Sequence, residues 1–130
     1  VARKPSTPPP TNAELEILRV LWREGAQTVR EVQERLPRQD VGYTTVLKLM
    51  QIMAEKGLVR RDESARSHVY RAAFPERDVK RRIVGDLLDR AFEGSASSLV
   101  MHALESHPAS PAELAQIRSL LDDLDSRGSK

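Results

Sequence analysis

The stretch GYTTVLKLMQIMAEKGLVRR, residues 42–61, decides the fold. Val46, Leu49, Met50 and Met53 recur at i, i+3, i+4 and i+7, the single apolar stripe of an amphipathic α-helix. Thr44, Lys48, Gln51 and Glu55 occupy the opposite side, with Leu47 and Ile52 on the flanks. Gly57 supplies a C-terminal stop, so the helix runs to about Lys56 and LVRR opens a strand. A helix buried on all sides has no use for that polar face, so the neighbouring segments must say what it meets.

Upstream, Thr11-Asn-Ala-Glu14 has capping-box spacing, in which the threonine caps a backbone N–H and the glutamate reaches back. Leu15, Leu18, Leu21 and Trp22 give the stripe of a first helix, which Gly25 ends. Thr28-Val-Arg-Glu31 repeats the box, and Val29, Val32 and Leu36 make a short second helix before Pro37. The loop PRQDVG then leads into the third helix. Downstream, LVRRDE and HVYRAAF alternate in polarity and contain β-branched and aromatic residues, with the polar SARS between them. That is a two-stranded hairpin. Three short helices and a hairpin within about 65 residues describe a winged helix-turn-helix, whose third helix is the one such folds insert into the DNA major groove.

Beyond Pro75 the texture changes. Residues 76–93 carry Val79, Ile83, Val84, Leu87, Leu88, Ala91 and Phe92 at helical spacing, and Gly94 breaks the run. SASSLVMHALES forms a shorter amphipathic helix. Ser110-Pro111-Ala-Glu113 then combines a cap, a proline at the first helical position and a capping-box glutamate. These three helices total about 45 residues, a thin supply for an independent core. Burial against a second copy would solve that problem. Ile83, Leu87, Leu88, Leu99, Val100, Leu114, Ile117, Leu120, Leu121 and Leu124 are therefore expected at a homodimer interface, packing on the N-terminal half being the alternative. The expected chain is mainly α. A basic, Pro-rich arm covers residues 1–10, a winged-helix domain 11–75, a three-helix dimerisation domain 76–126 and a tail 127–130.

Composition narrows the function. The chain is 39% hydrophobic, 31% charged and 4% aromatic, an ordinary globular balance weighted against strands. It has no cysteine, which removes disulfides, thiolate metal sites and cysteine nucleophiles together. Residues 1–75 hold 13 basic against 9 acidic side chains and residues 76–130 hold 8 against 10, so the net +2 hides a basic first half. Apolar runs are too short to span a membrane and VARKPSTPPP lacks a secretory core, so a cytoplasmic location is expected. His102 and His107, five apart around Glu105, match no strong ligand motif. No Ser/His/Asp set, phosphate loop or carboxylate pair stands out. No metal, cofactor, small-molecule substrate or enzymatic activity is expected.

The order TNAELEILRVLW, TVREVQERL, GYTTVLKLMQIMAEKGLVRR and RSHVYRA resembles the BlaI/MecI/CopY family of bacterial repressors. FEGSASSLVMHAL and SPAELAQIRSLLDDLD extend that resemblance, which runs from Thr11 to Asp125. It implies a homodimer of winged helices joined through a three-helix dimerisation domain. It also implies binding to palindromic double-stranded operators, often built on TACA/TGTA half-sites, and repression of transcription. For antibiotic-resistance members it implies a membrane sensor metalloprotease whose signal leads to cleavage of the repressor in the fifth helix. The Asn-Phe bond cut in the family aligns here with His102-Ala103. The copper-responsive CopY branch carries a C-terminal cysteine hook that this chain lacks, so the resemblance points to the BlaI/MecI branch.

Tyr43, Thr44, Thr45, Lys48 and Gln51 are the DNA contacts expected on the third helix, whose first half sits deepest in the groove. Hydroxyls there can meet base edges, a thymine methyl or phosphate; Lys48 suits a guanine edge or phosphate, and Gln51 suits adenine or the backbone. Tyr43 can hydrogen-bond a phosphate. Glu55, which would repel phosphate, lies ~16 Å from Thr44 at 1.5 Å per residue, where the helix should leave the groove. On the wing, Arg60, Arg61, Arg66, Ser67 and His68 are the candidates, an arginine at a wing tip commonly approaching the minor groove or a phosphate. The competing reading is a winged-helix protein-interaction module using Leu47 and Ile52.

Overall fold

The computed structural model describes residues 9–37, 40–64, 66 and 68–128. Helix α1 spans Asn12–Glu24, α2 Val29–Arg35 and α3 Tyr43–Lys56; strands β1 (Val59–Asp62) and β2 (Val69–Ala72) follow, then α4 (Glu76–Ala91), α5 (Ala96–Ser106) and α6 (Pro111–Gly128). The protein is mainly helical, with one antiparallel hairpin.

Local chemistry explains the helix ends. Thr11 Oγ1 accepts from the Glu14 N–H at 3.2 Å while the Thr11 N–H donates to Glu14 Oε1 at 2.9 Å. The same reciprocal pair closes α2 between Thr28 and Glu31 and α6 between Ser110 and Glu113. Each box satisfies two backbone donors that a helix start leaves open. At the end of α3, Gly57 takes a left-handed φ of 84°. The Gly57 N–H reaches the Ala54 carbonyl at 3.1 Å and the Leu58 N–H the Met53 carbonyl at 2.9 Å, a full Schellman motif sealed by two buried apolar side chains.

The first compact unit ends at Asp86 and the second begins at Leu87, within α4. In the first unit, α1 packs against α2, α3 and β2. It therefore buries Ile17 and Val20 as well as the expected Leu18 and Leu21, whereas Leu15 and Trp22 are half-buried at the edge. Val46, Met50 and Met53 of α3 complete the core with Val32, Leu58, Val59 and Tyr70; Leu49, expected among them, is only partly buried. Truncating one such buried methionine to alanine costs about 2–5 kcal/mol. The hairpin pairs Val59 with Ala72, Arg60 with Arg71, Arg61 with Tyr70 and Asp62 with Val69. A bridge absent from the sequence reading adds Gln27, whose N–H and carbonyl bond Tyr70 at 2.9 and 2.8 Å. Val79 and Ile83, on the first turns of α4, pack on this core.

The second unit is built differently. Glu93 (φ 49°) and Gly94 (φ 81°) turn the chain out of α4, and the Gly94 N–H bonds the Leu88 carbonyl at 2.8 Å. Neither α5 nor α6 contains a buried residue.

Candidate nucleic-acid interface

The inner face of α3 is fixed by Val46, Met50 and Met53, which leaves Thr44, Thr45, Lys48 and Gln51 exposed together on the outer face. Tyr43, at the first position, is 41% exposed. No acidic residue lies in the first turn, and Glu55 sits exposed near the far end. The two side chains that an apolar interaction surface would use are both partly buried, Leu47 against the core.

Both ends of α3 are held from within. Gln33 Nε2 donates to the Val41 carbonyl at 3.3 Å, just before the helix. The Arg30 guanidinium carbon lies 5.2 Å from the centroid of the Tyr43 ring, a cation–π contact between α2 and α3. At the other end Lys56 Nζ donates to Glu14 Oε2 at 2.8 Å. Burial pushes the Glu14 carboxyl up, but the Lys56 bond, the Thr11 N–H and the lysine charge outweigh it and hold the group below its ordinary 4.5.

On the wing, register separates the candidates. Arg60 faces solvent directly opposite Arg71, a residue the sequence reading omitted. Arg61 stands opposite Tyr70 and is ion-paired with Glu63, so part of its charge is already answered. Asp62 Oδ1 accepts from the Ser64 hydroxyl and N–H at 2.7 and 2.9 Å, which tightens the turn. The hydroxyl and then the N–H keep that carboxyl below its usual range. Arg66 and His68 are exposed, and both line a groove that also includes Arg30 and Tyr43. Ser67 lies outside the described residues. The pairing of Arg60 with Arg71 could have been read from the hairpin itself, since a four-residue tip fixes the register. Arg30 had no sequence signal beyond its place in the first turn of α2.

The apolar candidates of the second unit remain on its surface. Leu120, Leu121 and Leu124 of α6 are 56%, 57% and 50% exposed, and Leu87 and Val100 are also exposed. Leu88, Leu99, Leu114 and Ile117 are half-buried. Ile83 belongs to the first unit, against whose core it packs. His102 and Ala103 are exposed in the middle of α5. His102 Nδ1 lies 2.9 Å from the Ser98 carbonyl, which can only accept, so that nitrogen carries the proton. The His102 ring meets Phe92 edge-on at 5.5 Å. Among the described residues no group of three His, Asp or Glu is placed to hold a metal, and no helix is long and apolar enough to cross a membrane.

A family model described as "Penicillinase repressor" matches residues 10–123. The transcriptional regulator BlaI of Mycobacterium tuberculosis is 34% identical over 96 residues, 72% of this chain and 70% of that protein. The methicillin resistance regulatory protein MecI of Staphylococcus aureus is 22% identical over 113 residues, covering 86% of this chain and 92% of MecI. The solution structure of the DNA binding domain of the repressor BlaI aligns with a TM-score of 0.47 at 23% identity, over 60% of this chain and 93% of that one.

Proposed function

The chain belongs to the penicillinase repressor family, and from that premise we propose that it is a DNA-binding transcriptional repressor acting as a homodimer on a dyad-symmetric operator. The observation that carries the reading is the outer face of α3. Thr44, Thr45, Lys48 and Gln51 project from a helix whose opposite side is locked by three buried side chains. Two hydroxyls, an ammonium and a carboxamide on the first three turns are the donor and acceptor types that major-groove edges and phosphates require.

Dimerisation is supported by the second unit, whose α5 and α6 contain no fully buried residue while displaying a leucine face. A second copy would cover that face and set two α3 helices against the two halves of a palindrome. Relief of repression follows from the same dependence. Cleavage at His102-Ala103, under the control of a membrane sensor metalloprotease, would sever α6 and its leucines from the rest of the chain. That bond lies inside a hydrogen-bonded helix, so cutting it requires α5 to open locally. A gel shift with the DNA upstream of the protein's own gene, across a salt series, tests the function. Specific, salt-sensitive retardation is the expected result, and no retardation at low salt would refute it.

A further inference from the structure

Beside α3 lies a groove that base recognition leaves unexplained. It has a volume of about 390 Å³ and opens between the start of α2, the start of α3 and the wing. Its polar wall is formed by Thr28, Arg30, Tyr43, Arg66 and His68: two guanidinium groups, two hydroxyls and an imidazole. No carboxylate is among the described residues that line it. Glu31, the acidic residue next in sequence to Arg30, turns its carboxylate to the Thr28 N–H at 2.8 Å, as part of the α2 cap. Val29 and Leu47 add apolar surface, and Val29 and Tyr70 are buried. Two cations on one groove, with no carboxylate among its described lining residues, raise its potential, and an anion placed between them lowers it. The groove also shares Tyr43 with α3, so whatever occupies it lies one residue from Thr44.

We propose that this groove seats a backbone phosphate of duplex DNA flanking the bases that α3 faces, with Arg30 as its principal cation. Arg30 is suited to the task because its guanidinium already rests over the Tyr43 ring. Less side-chain freedom is then lost when a phosphate arrives. The contact reads no sequence. It sets the depth and angle at which α3 meets the bases, as phosphate contacts do. This inference rests on the DNA-binding reading above and adds α2 to the binding surface.

The test compares Arg30→Ala and Arg30→Lys with the wild-type chain on its upstream promoter DNA and on a random duplex of equal length. Arg30→Ala is expected to weaken both by the same factor, about tenfold, the scale of one lost charge-assisted bond. It should also reduce the slope of log affinity against log salt by about 1, while Arg30→Lys keeps the slope. Arg66→Ala should repeat the alanine result. Arg30 is exposed, so an unchanged melting curve will confirm that the fold is intact. An unaltered slope in Arg30→Ala, or a loss confined to the promoter duplex, overturns the proposal. If the wild-type chain binds neither duplex, the DNA-binding reading itself fails. If it binds and both alanine variants match it, only the phosphate seat fails.

Discussion

Lys56 Nζ sits 2.8 Å from Glu14 Oε2, joining the last turn of α3 to the first turn of α1. Glu14 is 2% exposed, and its other oxygen accepts the Thr11 N–H. One carboxylate thus caps α1 and anchors α3, the helix that presents Thr44, Thr45, Lys48 and Gln51. Lys56→Met would strand this buried charge, at an expected cost of about 3 kcal/mol in denaturant unfolding.

The same pair predicts a pH response. The folded-state pKa of Glu14 lies below the ordinary 4.5, so its stabilisation is complete above that value and is lost as pH falls through the folded pKa. In Lys56→Met the burial that pushes the carboxyl up acts without the lysine, so the folded pKa moves up towards the unfolded value and less stability is lost on acidification than in the wild type. Melting temperatures of both proteins from neutral to acid pH will show this as converging curves; parallel curves would contradict it.

Arg60 and Arg71 oppose each other across the hairpin. Like charges in that position cost roughly 0.2–1 kcal/mol, a cost that binding to a polyanion would offset. Arg71→Ala is expected to leave thermal stability unchanged or slightly raised while weakening DNA binding several-fold. A destabilised variant with full DNA affinity would show that Arg71 serves the fold instead.

The leucines of α6 predict an assembly effect. Leu120→Glu places a charge on an already exposed position, so the winged helix should stay folded. Light scattering should report a monomer, and affinity for the promoter duplex should fall about a hundredfold or more as the second half-site contact becomes independent. A tight dimer in this variant would move the interface elsewhere.

Much of the fold was legible because its signals are local. The boxes at Thr11, Thr28 and Ser110 each close within four residues, and the stripe of Val46, Met50 and Met53 needs only helical geometry. What stayed hidden depends on distant partners. Glu14 reads as a cap, and only the folded chain brings Lys56 to it across 42 positions. Ile17 and Val20 fall off the simple stripe because α1 is covered by α2, α3 and β2 at once. Gln27 carries no strand signal, yet Tyr70 recruits its backbone. The exposure of Thr44, Thr45, Lys48 and Gln51 followed from periodicity. Arg30 and Arg71 joined them only through a groove and a strand register.

The central claim is that α3 reads DNA through its outer face, and Lys48 tests it most directly. Fluorescence anisotropy should compare wild type and Lys48→Ala on the promoter duplex and on a random duplex of the same length. The predicted result is a loss of about 1–3 kcal/mol on the promoter and a smaller loss on random DNA. Equal affinity of the two proteins for the promoter duplex would contradict the account.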